Sequence, residues 1–300
     1  MSLAANTDFT QTFQIEGLDV RGRLVRLGPE LAKVIDAHGY PEEVSEMLAE
    51  TLTLGAVLAS ALKFDGLFTL QIQSDGPISL LVADVTSAGA VRGYARFDAD
   101  RLEQAQTREG APVPRLLGSG HLAFTVDQGP DMERYQGIAA LDGATLAECA
   151  HHYFRHSEQL ETAIFIAARV SGDSDARAGA LMVQRMPYQH VPDENDAEDG
   201  WRRTVAILAS LKADELLDWN LDYDQLLYRL YHEDGVRVFA PQPLVHQCRC
   251  SQGKVENTLK SFPRSEVVGD DGYVRVVCEF CKAKYDFSPG QLDSLYDRVD

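Results

Sequence analysis

The chain has 300 residues, more than one average domain, and its 45% hydrophobic and 25% charged content is that of an ordinary folded protein. A formal charge of −18, from 46 Asp and Glu against 28 Lys and Arg, argues against nucleic acid as a partner, since that affinity comes largely from cations neutralising phosphates. No apolar run approaches the roughly 20 residues of a membrane span, and the N-terminal MSLAANTDFTQTFQ lacks the basic cluster and apolar core of a secretory signal, so a cytoplasmic chain without a membrane partner is expected.

Residues 9 to about 26 alternate apolar and polar side chains, with Gly17 and Gly22 as punctuation, and read as a pair of strands. Pro41-Glu42-Glu43 opens a helix, because proline suits a first-turn position and acids suit the positive end of the dipole. Val44, Met47, Leu48, Leu52, Val57, Leu58, Ala61 and Leu62 continue it at helical spacing. Asp65-Gly66 and Asp75-Gly76-Pro77 are turns that bound strands at Leu67–Gln73 and Ile78–Val85. Strands at Val91–Phe97 and His121–Asp127 follow, the second ending in a Gln128-Gly129-Pro130 turn. Thr145 starts a helix that runs through Cys149, and Ile164–Val170 reads as a buried strand. Residues 1–190 therefore form one α+β domain with a largely antiparallel sheet.

Composition shifts at Val191. The run PDENDAEDG holds five acids in nine residues and reads as a solvated connector. Short helical patterns follow at Trp201–Leu211, Leu216–Leu217 and Leu226–Leu230, so residues 191–245 read as a helical linker. Pro241 and Pro243 mark its end. Residues 246–300 form a third segment, whose eight Lys and Arg against nine Asp and Glu give no basic face.

That segment carries four of the five cysteines, as Cys248-Arg249-Cys250 and Cys278-Glu279-Phe280-Cys281. Two close pairs joined by a short spacer can bring four sulfurs to the tetrahedral centre that Zn²⁺ prefers. A helix from Ser251 to Lys260 and a strand at Tyr273–Val277 would deliver both pairs to one point. C-x-x-C is common in zinc ribbons, whereas C-x-C is not. Its thiols can share one metal or oxidise to a small-loop disulfide, and zinc keeps sulfur in the thiolate form that oxidants attack. Arg249, Lys254, Lys282 and Lys284 lie near enough in sequence to offset the charge. On spacing alone, a static zinc module and an oxidation sensor both stand.

Other candidates carry less. His151, His152 and His156 lie on the Thr145 helix, two of them at i, i+4, but without the glutamate of an HExxH site; they read as a helix face. Cys149 reads as a small core residue. Gly118-Ser119-Gly120 is a turn rather than a phosphate loop, and no nucleophile elbow or dinucleotide fingerprint appears, so no enzyme is expected. A zinc-ribbon protein of the transcription machinery would need the basic face that is missing here.

The pairing of C-x-C with C-x-x-C across a spacer near 30 residues resembles the heat-shock protein 33 chaperones. The flanks HEDGVRVFAPQPLVHQCRCSQGKV and VVCEFCKAKYDF agree. So do, in order, LKFDGLFTLQIQSDGPISLLVADV, RGYARFD, TVDQGPDMERYQGIAAL, HYFRHSEQLETAI and ARAGALMVQRMP. One departure is Ala180, where a second glycine would be expected after Gly179. The resemblance implies a large N-terminal antiparallel-sheet domain with helices, a metastable helical linker and a small C-terminal redox-switch domain. One Zn²⁺ per chain would sit on Cys248, Cys250, Cys278 and Cys281 in an inactive reduced form. Oxidation would form Cys248–Cys250 and Cys278–Cys281 disulfides, release zinc and unfold the switch domain and linker. The activated homodimer would then hold unfolding proteins without ATP during oxidative stress.

Overall fold

The computed structural model describes residues 7–129, 132–171, 175–186 and 194–296, except for the side chains of residues 156, 157, 194 and 195. Residues 1–6 of the N-terminal stretch, Pro130 of the expected turn, residues 192–193 of the acidic run and the His156 side chain fall outside the described residues. The chain divides into two compact units, residues 1–246 and 247–300.

The first unit opens with the expected strand pair, β1 (Phe9–Ile15) and β2 (Val20–Leu27), followed by α1 (Pro29–Asp36) and α2 (Glu42–Ala61). A meander of β3 (Leu67–Ser74), β4 (Ile78–Thr86) and β5 (Ala90–Phe97) leads to α3 (Ala99–Gln106). Next come β6 (Gly120–Asp127), β7 (Tyr135–Ala140), α4 (Leu146–Tyr153), β8 (Thr162–Ser171) and β9 (Asp175–Arg185). Three helices follow, α5 (Glu194–Ala209), α6 (Ala213–Leu216) and α7 (Tyr223–Tyr231). The unit ends in three very short strands, β10 (Val236–Val238), β11 (Gln242–Pro243) and β12 (Val245–His246).

These strands make two six-stranded sheets. One has the order β10-β1-β2-β9-β8, with β11 also on β1; the other runs β12-β5-β4-β3-β6-β7. All pairs are antiparallel except β12 on β5. Helix α2 lies between the sheets, which explains why it is apolar nearly all round: fourteen of its twenty residues are buried. By length and composition alone it could cross a membrane, but here Leu48, Leu52, Leu54 and Val57 form a core with Phe68, Leu70 and Ile72 of β3 and with Val25, Ala180 and Met182 of the other sheet. Its buried Thr51 and Thr53 donate to the carbonyls of Met47 and Ala49, each at 2.7 Å, so neither hydroxyl is stranded.

The far face of the first sheet carries a second core. Phe13, Val20, Leu24, Leu181 and Val183 meet Trp201, Leu208, Leu216, Leu227 and Tyr231 from α5, α6 and α7. Contact is close enough to require glycine twice: a Cβ on Gly179 would stand 2.8 Å from Leu216 Cγ, and one on Gly28 would stand 2.6 Å from Trp219 Cζ2. Ala180, standing where a second glycine was expected, packs its methyl into the α2-side core and is fully buried there.

Three expectations are corrected. The acidic run is not a connector from residue 194 onward but the opening of α5, where acids suit the helix dipole. That helix is 16 residues long, beginning at Glu194 and not with the short pattern expected from Trp201. The strand at Ile164–Val170 exists as β8, but it edges its sheet and most of its side chains are only half-buried.

The second unit holds α8 (Gln252–Leu259), α9 (Arg264–Val267), the hairpin β13 (Val274–Val277) and β14 (Lys284–Phe287), and α10 (Pro289–Tyr296). Its core among the described residues is five side chains: Leu259, Val274, Phe287, Leu292 and Leu295. The Tyr296 hydroxyl ties α10 to α8 by donating to the Leu259 carbonyl at 2.8 Å.

Candidate metal centre

Two local structures position the cysteines. Cys248 and Cys250 lie in the extended segment that leads into α8, whose N-cap is Ser251; its hydroxyl accepts from the Lys254 amide at 3.3 Å. Alternation along that extended segment places both sulfurs on one side. Cys278 and Cys281 lie in the turn between β13 and β14. That turn is closed by the Cys278 amide on the Ala283 carbonyl and the Lys282 amide on the Cys278 carbonyl, both at 2.9 Å. Lys282 takes a left-handed φ of 57° to complete it, a conformation that costs a side-chain-bearing residue some strain. In return the turn aims amide N–H groups at sulfur: those of Phe280 and Cys281 at the Cys278 sulfur, and that of Ala283 at the Cys281 sulfur.

All four sulfurs lie within 4.8 Å of one another. Cys248 Sγ is 3.7 Å from Cys278 Sγ, and Cys250 Sγ is 3.4 Å from Cys281 Sγ. Four thiolates at about 2.3 Å from one zinc stand about 3.8 Å apart, so the donor set fits one tetrahedral ion. Among the described residues this is the one group of three or more His, Cys, Asp or Glu side chains whose donor atoms converge in this way.

Without a metal, the two thiols of the β13–β14 turn resist ionisation. Burial raises Cys278, and burial with the neighbouring sulfurs pushes Cys281 up to about 12. Four adjacent negative charges require a cation among them, which is the chemistry of a metal site. Of the four nearby cations, Lys254 donates to the Arg249 carbonyl at 2.7 Å and so braces the C-x-C segment. A residue the sequence reading missed is Tyr285: its hydroxyl bonds to Cys250, which, with the other sulfurs, pushes the phenol up to about 12. Only its place after the C-x-x-C turn hinted at it, since the hairpin register that brings it round is a property of β13 and β14.

The remaining candidates fall outside any such site. His151 Nδ1 lies 2.6 Å from the Thr162 carbonyl, and His152 Nδ1 lies 3.6 Å from an Asp142 oxygen. Cys149 is fully buried, and that burial pushes its thiol up to about 11. Gly118-Ser119-Gly120 forms a turn in which the Ser119 amide donates to Asp75 at 2.8 Å.

Comparison with known proteins gives one answer. A family model described as Hsp33 protein matches residues 8–288. The 33 kDa chaperonin of Caulobacter vibrioides is 40% identical over 294 residues, covering 94% of this chain and 95% of that one. The protein of the same name from Pseudomonas putida is 38% identical over 300 residues, covering 99% and 96%. The crystal structure of the 33 kDa chaperonin (heat shock protein 33 homolog) from Thermotoga maritima superposes with a TM-score of 0.80 at 23% identity, covering 97% of this chain and 98% of that one, and shares its fold.

Proposed function

The chain belongs to the Hsp33 family, and from that premise we propose that it is a redox-regulated, ATP-independent holdase chaperone of the cytoplasm, without catalytic activity. In the reduced form Cys248, Cys250, Cys278 and Cys281 would hold one Zn²⁺ and the chaperone would be inactive. Zinc supplies a charge centre that keeps four thiolates together. Under oxidative stress those thiolates would form Cys248–Cys250 and Cys278–Cys281 disulfides and cease to be ligands. All four sulfurs are mutually close, so this pairing rests on the family resemblance and not on the distances.

The observation that carries the reading is the convergence of four sulfurs in a unit with only five buried apolar side chains among the described residues. Metal binding supplies about 10–16 kcal/mol of apparent folding free energy in small cysteine-ligated domains. Whole domains are stable by only about 5–15 kcal/mol, and one of this size lies at the low end. Loss of the ligands therefore exceeds the margin and should unfold residues 247–296. The linker, residues 191–245, is the proposed second element of the switch. Its helices would follow the unfolding unit off the first sheet, exposing apolar surface that holds unfolding polypeptides. Activated chains would act as homodimers, and the acidic excess would keep their complexes soluble.

The test follows metal and aggregation together. Reduced protein is treated with hypochlorous acid while a chromophoric chelator reads zinc release and light scattering reads a thermally unfolding client. Loss of about one zinc per chain, with anti-aggregation activity appearing only then, is expected. Activity in the zinc-loaded protein, or zinc loss without activity, would overturn the switch.

A further inference from the structure

A cavity of about 430 Å³ in the first unit plays no part in the proposed switch. It opens at the C-terminal end of α2, and its size falls in the usual range for small-molecule sites. Leu58, Phe64, Phe68, Phe124 and Phe154 give it apolar walls. Its polar side chains are Tyr135, Tyr153, Glu158, Lys63, Gln128 and Gln184.

The aromatic walls form a corner. Phe124 and Tyr153 meet at 90° with ring centroids 4.7 Å apart, and Phe154 meets Tyr153 at 74° and 5.5 Å. Tyr135 lies 6.0 Å from Phe124 and is 48% exposed, so the mouth is open to solvent. Both phenols donate to the same oxygen, Glu158 Oε1, and their hydroxyls are 3.3 Å apart. The hydrogen bond to Glu158 raises Tyr135, while burial and then the same carboxylate raise Tyr153. Both phenols thus keep their protons and direct them at the one carboxylate oxygen. The second oxygen of Glu158 takes no protein donor among the described residues.

Ring faces attract cations, a carboxylate between them supplies the counter-charge, and the apolar walls accept methylenes. Lys63 opposes this, for its ammonium would favour an anion instead. It is exposed, however, and its charge is more heavily screened by water than that of half-buried Glu158. We propose that this cavity is a binding site for an alkylammonium group, and that in the working protein it takes the side chain of a lysine from a held polypeptide. The second half rests on the holdase reading; the first does not.

Reduced full-length protein, labelled on its tyrosine rings, would be titrated with N-acetyl-lysine methylamide and followed by NMR at Tyr135 and Tyr153. Saturable shifts are expected, with none from the uncharged isostere N-acetyl-norleucine methylamide at the same concentrations. Glu158→Gln keeps the shape and should weaken binding about fivefold, the effect of a half-exposed charge pair. Lys63→Ala, at an exposed position, should strengthen it about twofold, and it preserves the test if the glutamine variant folds poorly. Reversal of both effects, with Glu158→Gln strengthening and Lys63→Ala weakening binding, together with binding of hexanoate, would overturn the proposal in favour of an anion site. Absence of saturable shifts from any probe would overturn it outright. Butylammonium binding more tightly than the capped lysine would uphold an amine site and overturn its assignment to polypeptide. No oxidant or client enters the experiment, so its failure is distinct from failure of the holdase reading.

Discussion

Gly179→Ala should activate the chaperone without oxidation. Gly179 lies on β9 where α6 seats, and a methyl there would stand 2.8 Å from Leu216 Cγ and 3.2 Å from both its δ carbons. Leu216 is fully buried, and a Cγ cannot swing clear by rotating the end of its side chain. The methyl therefore presses on α6 itself, a helix of only four residues with little structure of its own to resist. Overpacking of this kind costs about 1–3 kcal/mol, which shifts a docked-to-released equilibrium roughly 5- to 150-fold. Because Gly→Ala in a compatible strand stabilises the fold slightly through the unfolded chain, global melting should change little while docking weakens. In reduced, zinc-loaded protein, limited proteolysis should cut faster between Trp201 and Tyr231, and light scattering should show partial holdase activity. Wild-type cleavage rates and no activity would refute the docking argument.

Replacing Cys278 by Ser should unfold the second unit and leave the α2 core folded: amide signals of Val274–Val277 and Leu292 should collapse to random-coil positions, while those of α2 stay dispersed, and retained dispersion of the second unit in zinc-free variant would sink the ligand assignment. Burial raises the Asp8 carboxyl from its ordinary 3.8 to about 6. The folded state then holds a proton between about pH 4 and 6 that the unfolded chain has lost, so stability falls as pH rises through that window. The loss is up to about 3 kcal/mol, and Asp8→Asn, which keeps an acceptor for the Gly28, Glu30 and Leu31 amides, should flatten it in denaturant titrations at pH 4.5 and 7. Cys149, fully buried with its thiol raised to about 11, should resist a thiol reagent that titrates the four other cysteines of zinc-stripped native protein, and should react only on denaturation.

The elements legible in the sequence were those with a local cause. Pro41-Glu42-Glu43 and a helical apolar period marked α2; Ser251 marked the start of α8; two cysteine pairs marked the candidate metal centre. What stayed hidden depends on partners distant in the chain. The acidic opening of α5 looks solvated because the apolar residues that dock it begin only at Trp201. Strands β10, β11 and β12 have two or three residues each, too few for alternation to register. They exist through backbone bonds such as Leu244 N–H to the Asp8 carbonyl and Val245 N–H to the Gly89 carbonyl, both at 2.9 Å. The amine cavity likewise gathers rings from β6, β7 and the end of α4, which no single stretch reveals.

In the proposed switch, the layering would let one layer leave without the rest. Strands β2 and β9 are covered by α2 on one face and by α5 to α7 on the other, so removing the outer helices exposes Phe13, Val20 and Leu24 but leaves the α2 core intact. The outer interface also contains a flaw. Tyr231 is 1% exposed and its ring stacks on Phe13 with centroids 5.9 Å apart, yet its hydroxyl has no hydrogen-bond partner among the described residues. A buried unsatisfied polar group costs about 1–3 kcal/mol, and in the proposed switch that cost falls on the docked linker, bringing it nearer release. Tyr231→Phe keeps the ring and removes the hydroxyl, so it should dock the linker more firmly. After oxidation the variant should gain holdase activity more slowly and lose the Trp201–Tyr231 segment to protease more slowly, with zinc release unchanged. Activation as fast as wild type would mean that the hydroxyl does not weigh on docking, and that the margin for release is set elsewhere.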